Sequence, residues 1–161
     1  MNWSVEKLAI NAWNNDLDKL NLNYPSKLEF RDIIVDVEEK IKASPNSVSG
    51  ALADKVNPVK HSYGDNLYIR EIFMPKGELI VSKIHNKRHP YFLMKGDVTV
   101  FGEEGAIRIQ APYHAMTEVG TKRILFIHED SVWITVHGTK KKNLNKIEDE
   151  IIAKTYNDVR R

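Results

Sequence analysis

Cysteine is absent from all 161 residues. That removes disulfides, thiolate zinc sites and cysteine nucleophiles together. Long hydrophobic runs are missing too, and no segment is long and apolar enough to span a bilayer. The opening MNWSVEKLAI carries acid and amide groups through its apolar stretch, so no signal peptide is read there. Charge of one sign is also lacking. Twenty-four Lys+Arg against 22 Asp+Glu give a formal net charge of +2, too small and too evenly spread to call for nucleic acid. The one cationic run, residues 140–142, reads as a solvated tail. No phosphate-cradling glycine loop, GxSxG elbow or HExxH occurs, which leaves nucleophilic hydrolase chemistry without a candidate. The expectation is a soluble, cytoplasmic chain with neither membrane nor nucleic acid as partner.

What is present fits one domain with a sizeable core, since 42% of residues are hydrophobic and 29% charged. The texture changes along the chain. SKLEFRDIIVDVEEKIKAS places Phe30, Ile33, Ile34, Val37 and Ile41 on one helical face, with Ser26 and Glu29 as a capping box after Pro25. WSVEKLAINAWNN is a weaker helix anchored by Trp3, Leu8 and Trp13, and SPNSVSGALADKVNP reads as a loop. From Leu67 the pattern is strand-like. LYIREIFM, ELIVSKIH, YFLM, DVTVFG, AIRIQAP, KRILFIH and SVWITVH are short β-branched and aromatic runs separated by turn residues. They predict an all-β core over residues 67–137, a sandwich or barrel. Helices are expected at 27–43 and 143–156, the second with Leu144, Ile147 and Ile151 on its apolar face. The chain divides into a helical extension (1–60), a β-barrel (61–140) and a C-terminal helix (141–161).

The stretch GELIVSKIHNKRHPYFLMKG, residues 77–96, concentrates the chemistry. Pro90 pushes His89 toward extended geometry, so the four-residue spacing of His85 and His89 reads as a hairpin rather than a helix face. Alternation puts Leu79, Val81, Lys83 and His85 on one face. Imidazole suits Fe, Mn, Ni or Zn, and the third ligand would come from Glu71, His114, His128 or His137. Alternatively Lys83, His85 and Arg123 form a cationic site for phosphate or carboxylate. Glu71 would be a ligand or a partner for Lys83. Lys122 and Arg123 reach a pocket rim or simply enter a strand. Tyr68 and Trp133 line the pocket or pack the core. His61, before the first of these strands, also fits a turn.

The glycine framing resembles the first motif of the cupin superfamily. Gly77 and Gly96 take its two glycine places, Lys83 and His85 its histidine places, and His89 its glutamate place. Pro112 in APYHAMTEVG opens the counterpart of the second motif, whose histidine place falls at Thr117. Two of the four metal-ligand places, Lys83 and Thr117, therefore hold no usual ligand. Roughly residues 57–138, including GTKR and HEDSVWITVH, are similar to small cupin-like proteins encoded by tailed bacteriophages, with Lys87 where that group usually has a further histidine. The resemblance implies a cupin-type jelly-roll barrel with N-terminal helices and a C-terminal helix. It also implies a phage origin, hence the host cytoplasm, and it supplies no activity.

Two function classes follow. One is a metal-dependent enzyme acting at the barrel mouth with one divalent transition metal. The other is a non-catalytic protein that binds or sequesters an anionic host ligand. A structural or assembly role would need no polar pocket. Short edge strands and an amphipathic terminal helix point to a homodimer.

Overall fold

The structure is a computed structural model describing residues 3–160. Four helices come first: α1 (Val5–Asn14), α2 (Leu17–Leu22), α3 (Lys27–Ala43) and α4 (Gly50–Val56). The capping box that starts α3 is formed. The Glu29 amide donates to Ser26 Oγ at 3.4 Å, and the Ser26 amide donates to Glu29 Oε2 at 2.8 Å. Phe30, Ile34 and Val37 are fully buried, the stripe the spacing predicts. Trp13 departs from expectation. It is 61% exposed, and Leu8 and Ala12 anchor α1 instead. Helix α4 falls where a loop was expected. Ala and Leu favour a helix locally, but none of its residues is buried, so it has no apolar stripe to show in the sequence. Among the described residues no helix is long and apolar enough to cross a membrane.

Eight strands follow: β1 (Val59–Gly64), β2 (Leu67–Met74), β3 (Leu79–Val81), β4 (Ile84–His85), β5 (His89–Gly102), β6 (Gly105–Gln110), β7 (Tyr113–Thr117) and β8 (Ile124–Gly138). Strand β1 lies before the expected start of the β region, because an edge strand reading VKHSYG carries little β signal. The runs YFLM and DVTVFG, expected as two strands, are one strand, β5. KRILFIH and SVWITVH likewise merge into β8. The turn residues between them make a bulge rather than a reversal. The β5–β8 register shifts between Leu93 and Val98, and Gly96 has φ +102°.

The sheet is antiparallel throughout, in the order β1-β2-β8-β5-β6, with β3 alongside β8 and β7 alongside β5. Among the described residues no pairing joins β1 to β6, so the expected barrel is seen as a curled, open sheet. Its outer face packs Phe101, Ala106, Ile124 and Phe126 against α1, α2 and α3. Its inner face gathers Met74, Leu93, Val98, Ile109, Ile127 and Trp133, with Ile80 and Ala115, into a second cluster. Side chains from six strands meet there, which is what curls the sheet.

The C-terminal helix α5 (Leu144–Ile151) starts at Asn143, whose side chain accepts from the Lys146 amide at 3.2 Å. It ends at Ile151, not at 156. Ile152–Ala153 then forms a short strand, β9, antiparallel to β4, and residues Tyr156–Asp158 make one 3₁₀ turn. The β-branched Ile152 follows the open edge of β4 instead of continuing the helix.

The bulge sets a testable limit. A Cβ at Gly96 would lie 2.0 Å from Ser131 Oγ and 2.8 Å from Ser131 Cα. Gly96→Ala is expected to cost about 2–4 kcal/mol in urea denaturation, from positive-φ strain plus overpacking. Adding Ser131→Gly should recover only part, since the backbone contact remains. A neutral Gly96→Ala would contradict this account of the bulge.

Candidate functional site

Strand alternation grades the inner face from apolar to polar. On β2 the inward residues are Ile72, Arg70 and Tyr68. On β8 they are Trp133, Thr135 and His137, lying opposite them in that order. On β5 they are Leu93, Tyr91 and His89, with Tyr91 opposite Thr135 and His89 opposite Thr117 of β7. The same three strands therefore carry core side chains at one end and imidazole, guanidinium and phenol groups at the other.

His85 reaches this end by a different route from the expected hairpin. Its strand pairs with β9 instead of β5. Its amide donates to the Thr121 carbonyl at 3.1 Å, and its carbonyl accepts from Gly120 N at 2.8 Å. The rings still converge. Centroids of His85 and His89 are 4.5 Å apart, those of His89 and His137 4.2 Å, and those of His85 and His137 6.4 Å. His89 and His137 are each 2% exposed.

Hydrogen bonding occupies one nitrogen of His89 and one of His137, and neither of His85 among the described residues. His89 Nδ1 lies 2.9 Å from the Lys87 carbonyl. A carbonyl only accepts, so Nδ1 carries the hydrogen and the neutral ring keeps a lone pair on Nε2. His137 Nε2 bonds Thr135 Oγ1 at 3.0 Å. His85 Nδ1, His89 Nε2 and His137 Nδ1 are buried without a partner. Burial is the main force holding all three rings neutral. It takes His85 down to about 2, helped by His89, His137, Arg123 and Arg70, and His137 down to about 3, helped by His89, Arg70 and Lys87. His89 is lowered by burial, against its bond to the Lys87 carbonyl.

Two arginines stand beside these rings. Arg123 donates to Thr117 Oγ1 at 2.9 Å and lies over the Tyr91 ring at 5.0 Å. Arg70, which the sequence reading passed over, shares the inward side of β2 with Tyr68. Its position was recoverable, because alternation in LYIREIFM puts residues 68, 70 and 72 on one face. Burial lowers the pKa of both guanidiniums. Neither makes a salt bridge among the described residues.

The other candidates separate. Tyr68 is at the site, stacked on His137 at 5.9 Å, with its hydroxyl 2.8 Å from His61 Nδ1. Trp133 is core, stacked flat on Tyr91 at 4.5 Å. Lys83 is 63% exposed and pairs with Glu148, because a break after β3 turns it away from the inner face. Glu71 takes the outward side of β2. His128 sits on the outer face, bonded to Thr99 Oγ1 at 2.7 Å, and the exposed His114 lies beside Phe92. Lys122 is buried against Glu38 at 2.6 Å. Two surface concavities, of about 340 Å³ at residues 64–66 and 139–142 and about 440 Å³ beside α1 and α3, lie away from the histidines.

Three neutral imidazoles with free nitrogens are the right donors for a first-row metal, and the fixed His89 tautomer is the one a ligating histidine needs. As arranged, however, no group of three or more His, Asp or Glu among the described residues is placed to hold an ion. The two guanidiniums next to the rings, neither in a salt bridge among the described residues though Glu148 acts on Arg70 through space, oppose a further cation.

No family model matches the chain, and no curated protein matches it in sequence. The solved structures it is similar to include proteins named as cupins. KdgF from Halomonas sp. is 14% identical, with TM-score 0.46 over 53% of this chain and 82% of that one. An RmlC-like cupin family protein from Methanocaldococcus jannaschii is 19% identical, with TM-score 0.44 over 56% and 87%. The cupin domain of an XRE family transcriptional regulator from Enterobacter cloacae is 8% identical, with TM-score 0.45 over 53% and 99%.

The neutral histidines dictate a pH response. An unfolded chain protonates these rings near 6.5, whereas the folded chain resists protonation down to about 3 or below for His137 and His85. The unfolded state therefore binds more protons, and stability falls as pH drops below about 6.5. Between about pH 6 and 5, above the carboxylate range, His137→Gln or His85→Gln should reduce the slope of unfolding free energy by up to about 1.4 kcal/mol per pH unit. Denaturant titrations at several pH values measure it. Slopes unchanged in both variants would show that these rings titrate normally.

Proposed function

We propose that the chain binds a small hydroxylated anion, a hydroxy-carboxylate or a sugar phosphate, at the histidine and arginine end of the inner face. The observation that carries this reading is the pair Arg70 and Arg123, partly buried side chains with no carboxylate partner among the described residues. A desolvated guanidinium is stabilised by a bidentate anion more than by anything else the site holds. The lone pair on His89 Nε2 would repel a bare carboxylate oxygen, so the ligand also needs a hydrogen to donate. A hydroxyl beside the anionic group meets both demands, and Tyr68 supplies a further polar edge. Lys83 has no part in the site.

Isothermal titration with gluconate and with glucose 6-phosphate tests this. Wild-type protein should bind at least one of them. Arg123→Gln or Arg70→Gln should weaken binding roughly 10- to 150-fold, the loss of a charge-assisted hydrogen bond worth about 1.5–3 kcal/mol. A deoxygenated carboxylate of the same length should bind less well. Absence of binding by both anions, or affinity unchanged in both arginine variants, would overturn the reading.

A second reading is favoured by the three empty ring nitrogens: closure of the rings about one Fe, Mn, Ni or Zn ion, with the arginines left to hold an anion. One equivalent of metal taken up at neutral pH, and lost in His89→Ala, would support it over a metal-free site.

A further inference from the structure

The polar end of the inner face is roofed by the C-terminal segment. Ile147 and Ile151 of α5 bury Tyr68, whose ring stacks on His137. Strand β9 lies along β4, with Ile152 opposite His85. The Asn86 amide donates to the Ile151 carbonyl at 2.7 Å, and the Arg160 amide to Asn86 Oδ1 at 3.2 Å. Neither surface concavity reaches the histidines.

This roof is held lightly. Its ladder is two residues long, and its buried cluster is Tyr68, Ile147 and Ile151. The N-terminal helices share a much larger buried layer with the sheet. The polar attachments sit at the rim: Lys83 to Glu148, Lys87 to Glu150, Lys141 to Glu150 at 3.3 Å, and Thr139 Oγ1 donating to Glu150 at 2.9 Å. Beyond β9 the chain is anchored, with Tyr156 packed on the helix-covered layer under Arg31 at 4.5 Å. Lys87 draws Glu150 down to about 2, so that acid stays charged and paired. The chain between β8 and α5 is exposed from Lys140 to Asn143 and starts beside Gly138. Elements with few buried apolar contacts open at low free energy while the rest stays folded.

We propose that α5 and β9 form a hinged cover over the histidine and arginine site, lifting between the exposed residues 140–143 and the Tyr156 anchor, and latched by Lys83 and Lys87 on Glu148 and Glu150. The cover admits the ligand and shields the bound anion from water. What it admits rests on the anion reading above; the opening itself does not. Lys83, at a place where the cupin motif has histidine, then serves as a latch.

Native-state hydrogen exchange and histidine modification by diethyl pyrocarbonate test the cover without a ligand. In the wild type, amides of 144–153 and of Asn86 should exchange at least tenfold faster than those of β5 and β8. Glu148→Lys with Glu150→Lys should speed them about tenfold more and hasten modification of His85, leaving β5 and β8 unchanged. Equal exchange in α5, β9 and the β5–β8 pair would overturn the cover, because it would then open only with global unfolding. As the chain has no cysteine, Ile84→Cys with Ala153→Cys places one unique disulfide across β4 and β9. Oxidation should slow His85 modification and gluconate association, and reduction should restore both. Gluconate binding at an unchanged rate in the oxidised form would overturn the cover. Failure of gluconate to bind, with fast exchange in α5 and β9, would overturn the anion reading and leave the cover standing.

Discussion

The β5–β8 pairing is the constraint on which the other elements depend. These strands, of 14 and 15 residues, run side by side through a bulge where Gly96 meets Ser131. A flat pair of that length would project one stripe of side chains in one direction. The bend gives each half different neighbours. β6 and β3 flank one end, and β7 and β2 flank the other. The outer face of one end then receives the N-terminal helices, while the inner face folds toward itself. A side chain at Gly96 would force the strands apart at the point where this change of direction occurs.

Electrostatics distinguishes the two faces. On the outer face, buried charges are paired. Asp97 accepts two bonds from Arg108 and one from Gln110, each 2.8 Å, and Lys122 meets Glu38. Glu103 joins Lys27 and Arg31. These pairs fix helix and strand positions and need nothing from outside. On the inner face, Arg70 and Arg123 make no such pair among the described residues, Glu148 acting on Arg70 only through space, and three imidazoles each keep an unpartnered buried nitrogen. Leaving buried polar groups unsatisfied costs free energy that a structural role would not require. The asymmetry between two faces of one sheet is the reason for placing the binding site on the inner one.

The C-terminal segment links stability to access. Its buried apolar contacts are few beside those of the helix-covered layer, and the Lys83–Glu148 pair lies in solvent, where it is worth little, while Glu150 is the more shielded acid. In the proposed opening, α5 and β9 lift from the sheet while Tyr156 stays packed on the helix-covered layer. Lys83 and Lys87 belong to the loop that carries His85 and His89, so the residues gripping the cover sit next to the residues it shields.

The sequence by itself determined the local features. The α3 stripe and its capping box and the strand content after Leu67 follow from spacing and neighbouring residues, because helix and strand periodicity are local properties. It did not determine the fate of turn-like residues. KGD and HED could reverse the chain or bulge a continuous strand, and only cross-strand pairing between β5 and β8 decided for the bulge. The face of Lys83 depended on a break after β3 that alternation cannot foresee. His137 and His128 had equal claims as partners for the pair, and only alternation along the strand they share separated them, His137 lying inward with Thr135 and His128 outward with Phe126. Arg70 and Arg123, fifty-three positions apart by residue number, both act on His85. Uncompensated charge is a property of surroundings, and surroundings exist only once the chain has folded.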